Sequence, residues 1–396
     1  MPTPTAHSRT ISLNYTYNRL YKDMYRYLLI DLNDYYFTVS SMYFGIHDTA
    51  LLWFKFYLVN RTQIVSANGI HSSPVDICCG VPRGSVLGPV LFILYTQPLS
   101  GVIDHHPVYH QLYADDTQIY KSSHLTEVEA TIQGVEKCIS DVKSWMTCIK
   151  LQMNDDKTKA ILITTQRLSH SHPLPQEINI SNTNIKFTQS VRNLGVTLDS
   201  TLSLHQHVMN ICNAAYLELR RISSILKYLS VDATITLVCS LVLSRLDYCY
   251  SVLSGSSQYL LQKLQKVQNT ASRIILRVPR SEHASPLLST LHWLSIRSRI
   301  KHKIWSLCYF SLTGSSPTYI SDLTHVYTPA RYLRSSCDTR ILIIPTMKMK
   351  SYVQRSFAYQ GPAMWNELPT ALKHKDTVIS FKSARKAHLF QLQEQN

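Results

Sequence analysis

The stretch Tyr113-Ala114-Asp115-Asp116 places two adjacent carboxylates between two short runs of β-branched and aromatic residues. Residues 108–112 precede it and residues 117–120 follow it, and both runs have the composition of strands. The pattern predicts a β-hairpin whose tip holds Asp115 and Asp116 close together. Adjacent like charges repel unless a divalent cation lies between them. The stretch therefore indicates a magnesium site suited to phosphoryl or nucleotidyl transfer, although a solvated hairpin tip would show the same residues.

A glycine-rich segment lies upstream of this hairpin and reads Cys79-Gly80-Val81-Pro82-Arg83-Gly84-Ser85-Val86-Leu87-Gly88-Pro89. Gly80 and Gly84 allow the backbone to approach a ligand closely, while a tight loop before a helix would need the same residues. Together with the Asp-Asp hairpin, this segment resembles the adjacent motifs of reverse transcriptases, in particular those of non-LTR (LINE-type) retrotransposons. Arg83 stands where that family usually has Gln. The resemblance implies a set of nucleotide- and template-binding residues, namely Tyr36, Gly80, Pro82, Arg83, Gly84 and Tyr113.

Residues 28–32 read as a buried strand that ends near a third carboxylate, Asp31. An ordinary strand-end Asp would give the same pattern, but the resemblance implies that Asp31 is the first metal ligand of a reverse transcriptase palm. Five residues further on, Tyr36 stands where the family has Phe or Tyr against the sugar of the incoming nucleotide. The resemblance therefore makes Tyr36 the candidate steric gate against a 2′-hydroxyl.

Residues 125–150 carry apolar side chains at three- and four-residue spacing, which predicts an amphipathic helix. Residues 154–159 then resemble the family's Asn-Pro-Asp-Lys-Thr motif. By that resemblance Lys157 protonates the departing pyrophosphate or holds phosphate, and a surface Lys in a turn is the alternative. Residues 160–163 follow as a predicted buried strand.

The resemblance implies a catalytic set of Asp31, Asp115, Asp116 and Lys157. In this interpretation Asp31 and Asp115 bridge two Mg²⁺ ions and Asp116 assists, so that a nucleotide is transferred to a primer 3′-hydroxyl. The implied partners are an RNA template, a DNA primer or hybrid duplex, and deoxynucleotide triphosphates. The chain is expected to act as an RNA-directed DNA polymerase by resemblance.

Beyond residue 200 the pattern is helical as far as Pro317. Residues 260–275 have one apolar face, and Pro279 marks the end of that helix. A second stripe on the same helix is basic and consists of Lys263, Lys266, Arg273 and Arg277. In the position of a polymerase thumb this stripe would contact a nucleic-acid backbone, while a solvated face is the alternative.

Charge and composition limit the classes of partner. The 396 residues contain 40 Lys plus Arg against 25 Asp plus Glu, a formal net charge of +15, which favours a polyanion. No apolar run reaches the length of about 18 residues that a membrane span needs, so we expect no membrane association. With neither a signal-peptide core nor a Cys-x-x-Cys motif in the sequence, an intracellular protein, nuclear or cytoplasmic, is expected.

The expected fold class is α+β. It consists of an irregular N-terminal remnant (residues 1–27), a partial palm with an antiparallel sheet backed by helices (28–200), a helical thumb-like region (201–300) and a helical, basic C-terminal region (301–396). The family's fingers precede the first palm strand, so we expect an N-terminally truncated chain whose polymerase activity is impaired. The alternative is a non-catalytic remnant that binds nucleic acid through its basic helical half.

Overall fold

The computed structural model describes residues 39–77, 84–149, 151–165, 167, 174–180, 183–328, 340–346 and 353–395, together with the backbone of residues 8–16. The chain divides into two compact units. The first comprises residues 1–193 and 199–201, and the second comprises residues 194–198 and 202–396. The first unit mixes helices with small antiparallel sheets, and the second is almost wholly helical, so the α+β class is confirmed.

The strands are β1 (Ser8–Thr16), β2 (Arg61–Gln63), β3 (Ser66–Ala67), β4 (Ile70–His71), β5 (Val75–Ile77), β6 (Tyr109–Tyr113), β7 (Asp116–His124), β8 (Lys159–Ile163), β9 (Glu177–Ile180), β10 (Thr183–Lys186), β11 (Ser190–Asn193) and β12 (Val196–Asp199). The helices of the first unit are α1 (Asp48–Leu58), α2 (Gly88–Thr96), α3 (Leu99–Asp104) and α4 (Val128–Cys148), and residues 39–44 are also helical. Short 3₁₀ turns cover Leu125–Glu127 and Asp155–Lys157.

The principal sheet of the first unit has four strands in the order β6-β7-β1-β8. Every neighbouring pair is antiparallel. Its third strand corrects a sequence expectation, because Ser8–Thr16 lies within the stretch that we expected to be irregular. Ile11, Leu13 and Tyr15 alternate with polar residues at the period of two that is typical of a strand, a signal that our prediction did not use. The strand pairs through its backbone with two partners distant in sequence. Residues 17–38, with the predicted strand 28–32, lie outside the described residues.

Helix α4 supplies much of the core of the first unit, as its spacing predicts. Val128, Ile132, Val135, Ile139, Val142 and Met146 are buried along one face. The helix contacts β7 and α3, and its face shares a core with Ile119 of β7 and Ala160 of β8. Helix α4 and the sheet therefore hold the β6–β7 hairpin in place.

The second unit contains α5 (His205–Ile225), α6 (Val231–Val238), α7 (Ser244–Asp247), α8 (Gln258–Leu276), α9 (Ala284–Thr290), α10 (Ile296–Leu312), α11 (Thr318–Ser321), α12 (Phe357–Asn366), α13 (Thr370–Lys373) and α14 (Val378–Glu394). A π-helical segment, Cys239–Leu243, joins α6 to α7. One hydrophobic core extends along this unit from Val196 to Leu389. In the described part of the chain no helix has the length and apolar character that crossing a membrane requires.

Candidate active site

The predicted Asp-Asp hairpin is present. Strands β6 and β7 are antiparallel with Tyr113 opposite Asp116, so Ala114 and Asp115 form a two-residue turn. Ala114 has φ 51°. This value lies in the left-handed region, in which a residue other than Gly is strained by roughly 1–2 kcal/mol. A strained turn of this kind is typical of functional sites. It fixes Asp115 and Asp116 at the end of a rigid sheet.

One carboxylate oxygen of Asp116 is desolvated and lacks a hydrogen-bond partner among the described residues. Asp115 and Asp116 are both half-buried, and Asp116 Oδ1 is fully buried with no hydrogen-bond partner among the described residues. A buried charged oxygen without a donor is costly, and a divalent cation is the group that would remove this cost. The arrangement therefore fits a cation ligand better than a solvated hairpin tip. Tyr113, in contrast, is 66% exposed beside it.

Strand pairing brings Lys157 to the same edge of the sheet. Thr16, the last residue of β1, is opposite Asp116, and Asn14 is opposite Lys159, the first residue of β8. Lys157 precedes Lys159 by two residues in a turn that contacts β1. Two inter-strand spacings correspond to roughly 10 Å between the backbones of β7 and β8. A ligand the size of a nucleotide triphosphate could extend between these strand ends.

The turn that carries Lys157 is held by Asn154, the first residue of the matched motif, to which the resemblance assigned no role. Asn154 Oδ1 accepts a hydrogen bond from the backbone N–H of Lys157 at 3.1 Å, and Thr158 Oγ1 donates to the Asn154 carbonyl at 2.9 Å. Lys143 Nζ forms an ion pair with Asp155 Oδ2 at 2.9 Å. The Lys157 side chain is exposed. An Asn three residues before the Lys was the available signal, since Asn commonly caps such turns.

The glycine-rich segment is described in part. Gly84 has φ +74°, and a Cβ built on it would meet no atom of the described residues within 4 Å. Ser85 Oγ then accepts a hydrogen bond from the Gly88 N–H at 3.1 Å, where α2 begins. The open space beside Gly84 suits either the ligand-binding or the tight-loop interpretation. Asp31, Tyr36, Gly80, Pro82 and Arg83 lie outside the described residues.

A complete metal centre is not assembled from the described residues. Within those ranges no group of three or more His, Cys, Asp and Glu side chains could hold a metal ion. The hairpin contributes the pair Asp115 and Asp116. The third ligand predicted from the sequence, Asp31, belongs to the undescribed stretch.

The basic stripe on α8 divides into two kinds of residue. Arg273 donates from Nε and Nη2 to the Glu282 carbonyl at 3.0 and 2.7 Å, and Arg277 donates from Nη2 to the Leu229 carbonyl at 2.5 Å. Both arginines thus stabilise turns within the second unit. Lys266 is exposed. The Lys263 ammonium lies 4.8 Å from the centre of the Tyr259 ring.

Comparison with known proteins identifies the class. Residues 6–198 match the family described as reverse transcriptase (RNA-dependent DNA polymerase). Residues 6–198 are therefore similar to a reverse transcriptase domain, and the first matched residues include the strand β1. The relatives below have the non-LTR type that the motifs predict, so the predicted resemblance is confirmed.

The particular relatives are polymerases of insect transposons. The chain is 26% identical over 233 residues to "RNA-directed DNA polymerase from mobile element jockey" of Drosophila melanogaster, covering 57% of this chain and 25% of that protein. It is 25% identical over 263 residues to "Probable RNA-directed DNA polymerase from transposon BS" of the same organism, covering 62% and 28%. The chain thus spans about a quarter of the length of the curated relatives it matches.

Proposed function

We propose that this chain contributes RNA-directed DNA polymerase chemistry, the transfer of a deoxynucleotide to a primer 3′-hydroxyl on an RNA template. The observation that carries the proposal is the buried, unpartnered Oδ1 of Asp116 beside Asp115 at a strained hairpin tip. This hairpin lies within the residues that match the reverse transcriptase family. The combination favours a catalytic carboxylate pair over a solvated turn.

Asp115 and Asp116, with Asp31 as the third ligand, are the residues that would hold Mg²⁺. When bound, the ions would supply the positive charge that activates the primer hydroxyl and neutralises the triphosphate. Asp115 and Asp116 are held ready for this role because β7 is fixed by β1 and α4. Lys157, whose backbone is fixed by Asn154, donates a proton or a charge-assisted hydrogen bond to the departing pyrophosphate.

Tyr36 lies against the sugar of the incoming nucleotide, and Gly80, Pro82, Arg83, Gly84 and Tyr113 line the nucleotide and template site. Gly84 supports this assignment because its left-handed backbone leaves open space where a side chain would stand. Tyr113 supports it because an exposed aromatic ring beside the carboxylates can stack on a base or sugar.

In the proposed architecture residues 28–200, together with strand β1 of the same sheet, form the palm, 201–300 the thumb-like region and 301–396 a basic C-terminal region. The end of the family match at residue 198 and the change to helices from His205 onward support the first boundary. Lys263 and Lys266 contact the nucleic-acid backbone, since among the described residues their ammonium groups have no main-chain carbonyl partner of the kind that Arg273 and Arg277 have.

Primer extension on an RNA template with Mg²⁺ and deoxynucleotides tests the proposal. The parent chain should extend the primer, and Asp115→Asn should lower the rate at least about a hundredfold, because a fixed charge that stabilises the transition state is worth that much or more. Asp376→Asn is the matched control, since Asp376 is an exposed carboxylate of the second unit. Folded parent protein that binds the template without extending the primer would overturn the proposal.

A second function, nucleic-acid binding without catalysis, is favoured by Lys263 and Lys266 together with the net charge of +15. A pure binding protein should hold primer-template equally well with EDTA present and after Asp115→Asn, with a steep dependence on salt. The enzyme should lose turnover in both conditions. Measuring binding and extension in the same samples therefore separates the two functions.

A further inference from the structure

Helices α10 and α14 of the second unit enclose a buried guanidinium. Arg385 is 1% exposed, and its Nη1 donates to Ser306 Oγ and its Nη2 to His302 Nε2, both at 2.8 Å. The guanidinium also lies over the Phe381 ring at 4.9 Å. Burial lowers the Arg385 pKa to about 10, so the group remains charged near pH 7. All of its contacts are neutral.

The charge of Arg385 is not balanced locally. In the described residues it has no ion pair with a carboxylate, and its Nε, fully buried, has no hydrogen-bond acceptor. The sequence contains no acid between Glu282 and Asp322, a stretch that includes all of α10, and the one acid of α14 is Glu394 at its end. A buried cation without a counter-ion is unfavourable unless an anion from outside supplies the balance.

Three exposed lysines surround this cation, and we call Lys303, Lys382 and Lys386 the seam lysines. Lys303 and Lys386 are close enough that their charges, with that of Arg385, lower the His302 pKa further than burial alone. Lys382 and Lys386 are one helical turn apart and lie over aromatic rings, Phe310 and Phe390, each at 5.8 Å. These ring contacts hold the lysine stems while the ammonium groups stay available.

The seam lysines differ from Arg299 and Lys301 of α10, which have carboxylate partners. They also differ from Arg297, which donates to Gln258 Oε1. Arg299 is bound by Asp247 through two hydrogen bonds of 2.7 and 3.0 Å, and Lys301 pairs with Glu367 at 3.2 Å. No such pair is found for the seam lysines among the described residues. The uncompensated positive charge is thus concentrated where the two helices meet.

We propose that the seam lysines form a second nucleic-acid surface, which binds the phosphates of single-stranded RNA independently of the hairpin carboxylates. Lysines on two adjacent helices present several cations to one chain of phosphates, as a polyanion site requires. An anionic membrane fits less well, because the exposed residues beside Lys386 are the small Ser383 and Ala387, while Phe390, whose ring Lys386 covers, is half-buried. Ile379 is the one large apolar exception on the described part of α14 near Lys382. The inference goes beyond the polymerase proposal and does not depend on it.

The test is fluorescence anisotropy of a labelled oligo-uridine RNA with the full chain and its Lys303→Gln/Lys386→Gln variant across a salt series. Each phosphate contact contributes a slope of about 0.7 in log affinity against log salt, so the variant's slope should be shallower by about 1.4. The parent should then lose about sevenfold more affinity than the variant between about 50 and 200 mM salt. Lys303→Arg/Lys386→Arg should retain the parent slope.

The matched control is Arg221→Gln/Lys301→Gln, which removes the same charge from residues that pair with Glu218 and Glu367. An equal loss of slope in the control would mean a general effect of net charge and would overturn the proposal. So would an unchanged slope in the seam variant, or a loss of binding to phosphatidylserine vesicles with RNA binding intact. Asp115→Asn should leave unchanged the salt dependence of RNA affinity. The failure of the polymerase proposal can therefore be distinguished from the failure of the proposal for the seam lysines.

Discussion

Helix α1 in the first unit has a larger share of apolar residues than helix α10 in the second unit, yet it is far less buried. Helix α1 contains Trp53 and Phe56, yet none of its residues is buried, and these side chains are 50% and 86% exposed. Helix α10 buries residues along its whole length, with Trp305 2% exposed. The comparison shows that the spacing of apolar residues predicts a helix, whereas burial of that helix requires another surface to pack against it.

The same contrast separates the units more widely. In the second unit one core joins residues from α5 to α14, but in the first unit the core begins at Leu91 and involves residues 39–77 through partly buried side chains. Residues 66–71 are instead shaped locally, because Asn68 and Gly69 both have positive φ, as a type I′ hairpin turn requires. We therefore expect the stability of the second unit to depend on burial, and that of residues 66–71 to depend on the local geometry of their turn.

A matched pair of tryptophans gives the largest expected effect. Trp365 is fully buried and donates from Nε1 to the Arg340 carbonyl at 2.6 Å, so Trp365→Ala should lower the free energy of unfolding of the second unit by about 3–5 kcal/mol. Trp53→Ala should cost the first unit less than about 1 kcal/mol. Hydrogen exchange, read from peptides of each unit, measures the free energy of opening of the two units separately. Equal losses would show that the exposed face of α1 is covered in solution.

A pair of glycines distinguishes backbone strain from packing. Gly84 and Gly195 have φ +74° and +83°, but a Cβ on Gly195 would lie 3.0 Å from Tyr248 Cε1 while one on Gly84 meets nothing within 4 Å. Gly84→Ala should therefore cost about 1 kcal/mol and Gly195→Ala about 2–3 kcal/mol. Thermal unfolding of both variants checks the order. A Gly84→Ala cost as large as that of Gly195→Ala would contradict the open space described beside Gly84.

The pH response should come from the second unit. Burial and the cations Arg385, Lys386, Arg299 and Lys303 lower the pKa of His302 to about 4, below its value of about 6.5 in an unfolded chain. Neutral His302 is favoured by folding, so its contribution is complete above pH 6.5 and is lost as pH falls towards 4. Between those values the parent should lose on the order of 1 kcal/mol more stability than His302→Gln, measured by urea unfolding. A His205→Gln control, with an exposed His, should follow the parent.

Capping residues should have the smallest effects, and similar ones in the two units. Asn154 accepts from the Lys157 N–H, and Ser230 accepts from the Ala233 N–H at 3.2 Å at the start of α6. Replacement of either by Ala should cost about 1 kcal/mol, detectable as a lower unfolding midpoint. Asn154→Ala should in addition reduce primer extension, because it releases the turn that positions Lys157. If Ser230→Ala cost much more stability than Asn154→Ala, the effect of a helix cap would depend on the core that surrounds it.

The sequence predicted those elements whose signal is local. The Asp-Asp hairpin, helix α4 and the buried face of α8 all follow from composition or spacing within a single segment, and the structure confirms them. Strand Ser8–Thr16 also carries a local signal, the alternation of Ile11, Leu13 and Tyr15 with polar residues, which our prediction did not use. Its pairing with residues 116–124 and 159–163 could not be read from that segment. The uncompensated charge of Arg385 was equally hidden, because burial between two helices is a tertiary property.

For the candidate site, the sequence located the carboxylates but could not show whether they are buried or have hydrogen-bond partners. The unpartnered Oδ1 of Asp116 results from the packing of the hairpin, which no spacing rule contains. The engagement of Arg273 and Arg277 with backbone carbonyls was also invisible, because a basic stripe on a helix has the same pattern whether its side chains bind phosphate or brace a loop.

The position of Ser8–Thr16 within the sheet has a consequence for biosynthesis. This strand leaves the ribosome before both of its partners, and one of them, Lys159–Ile163, is made roughly 150 residues later. At about 5–20 residues per second, the nascent chain carries that unpaired edge for roughly eight to thirty seconds. Slowed translation between these segments should therefore promote aggregation more than a pause placed after residue 163.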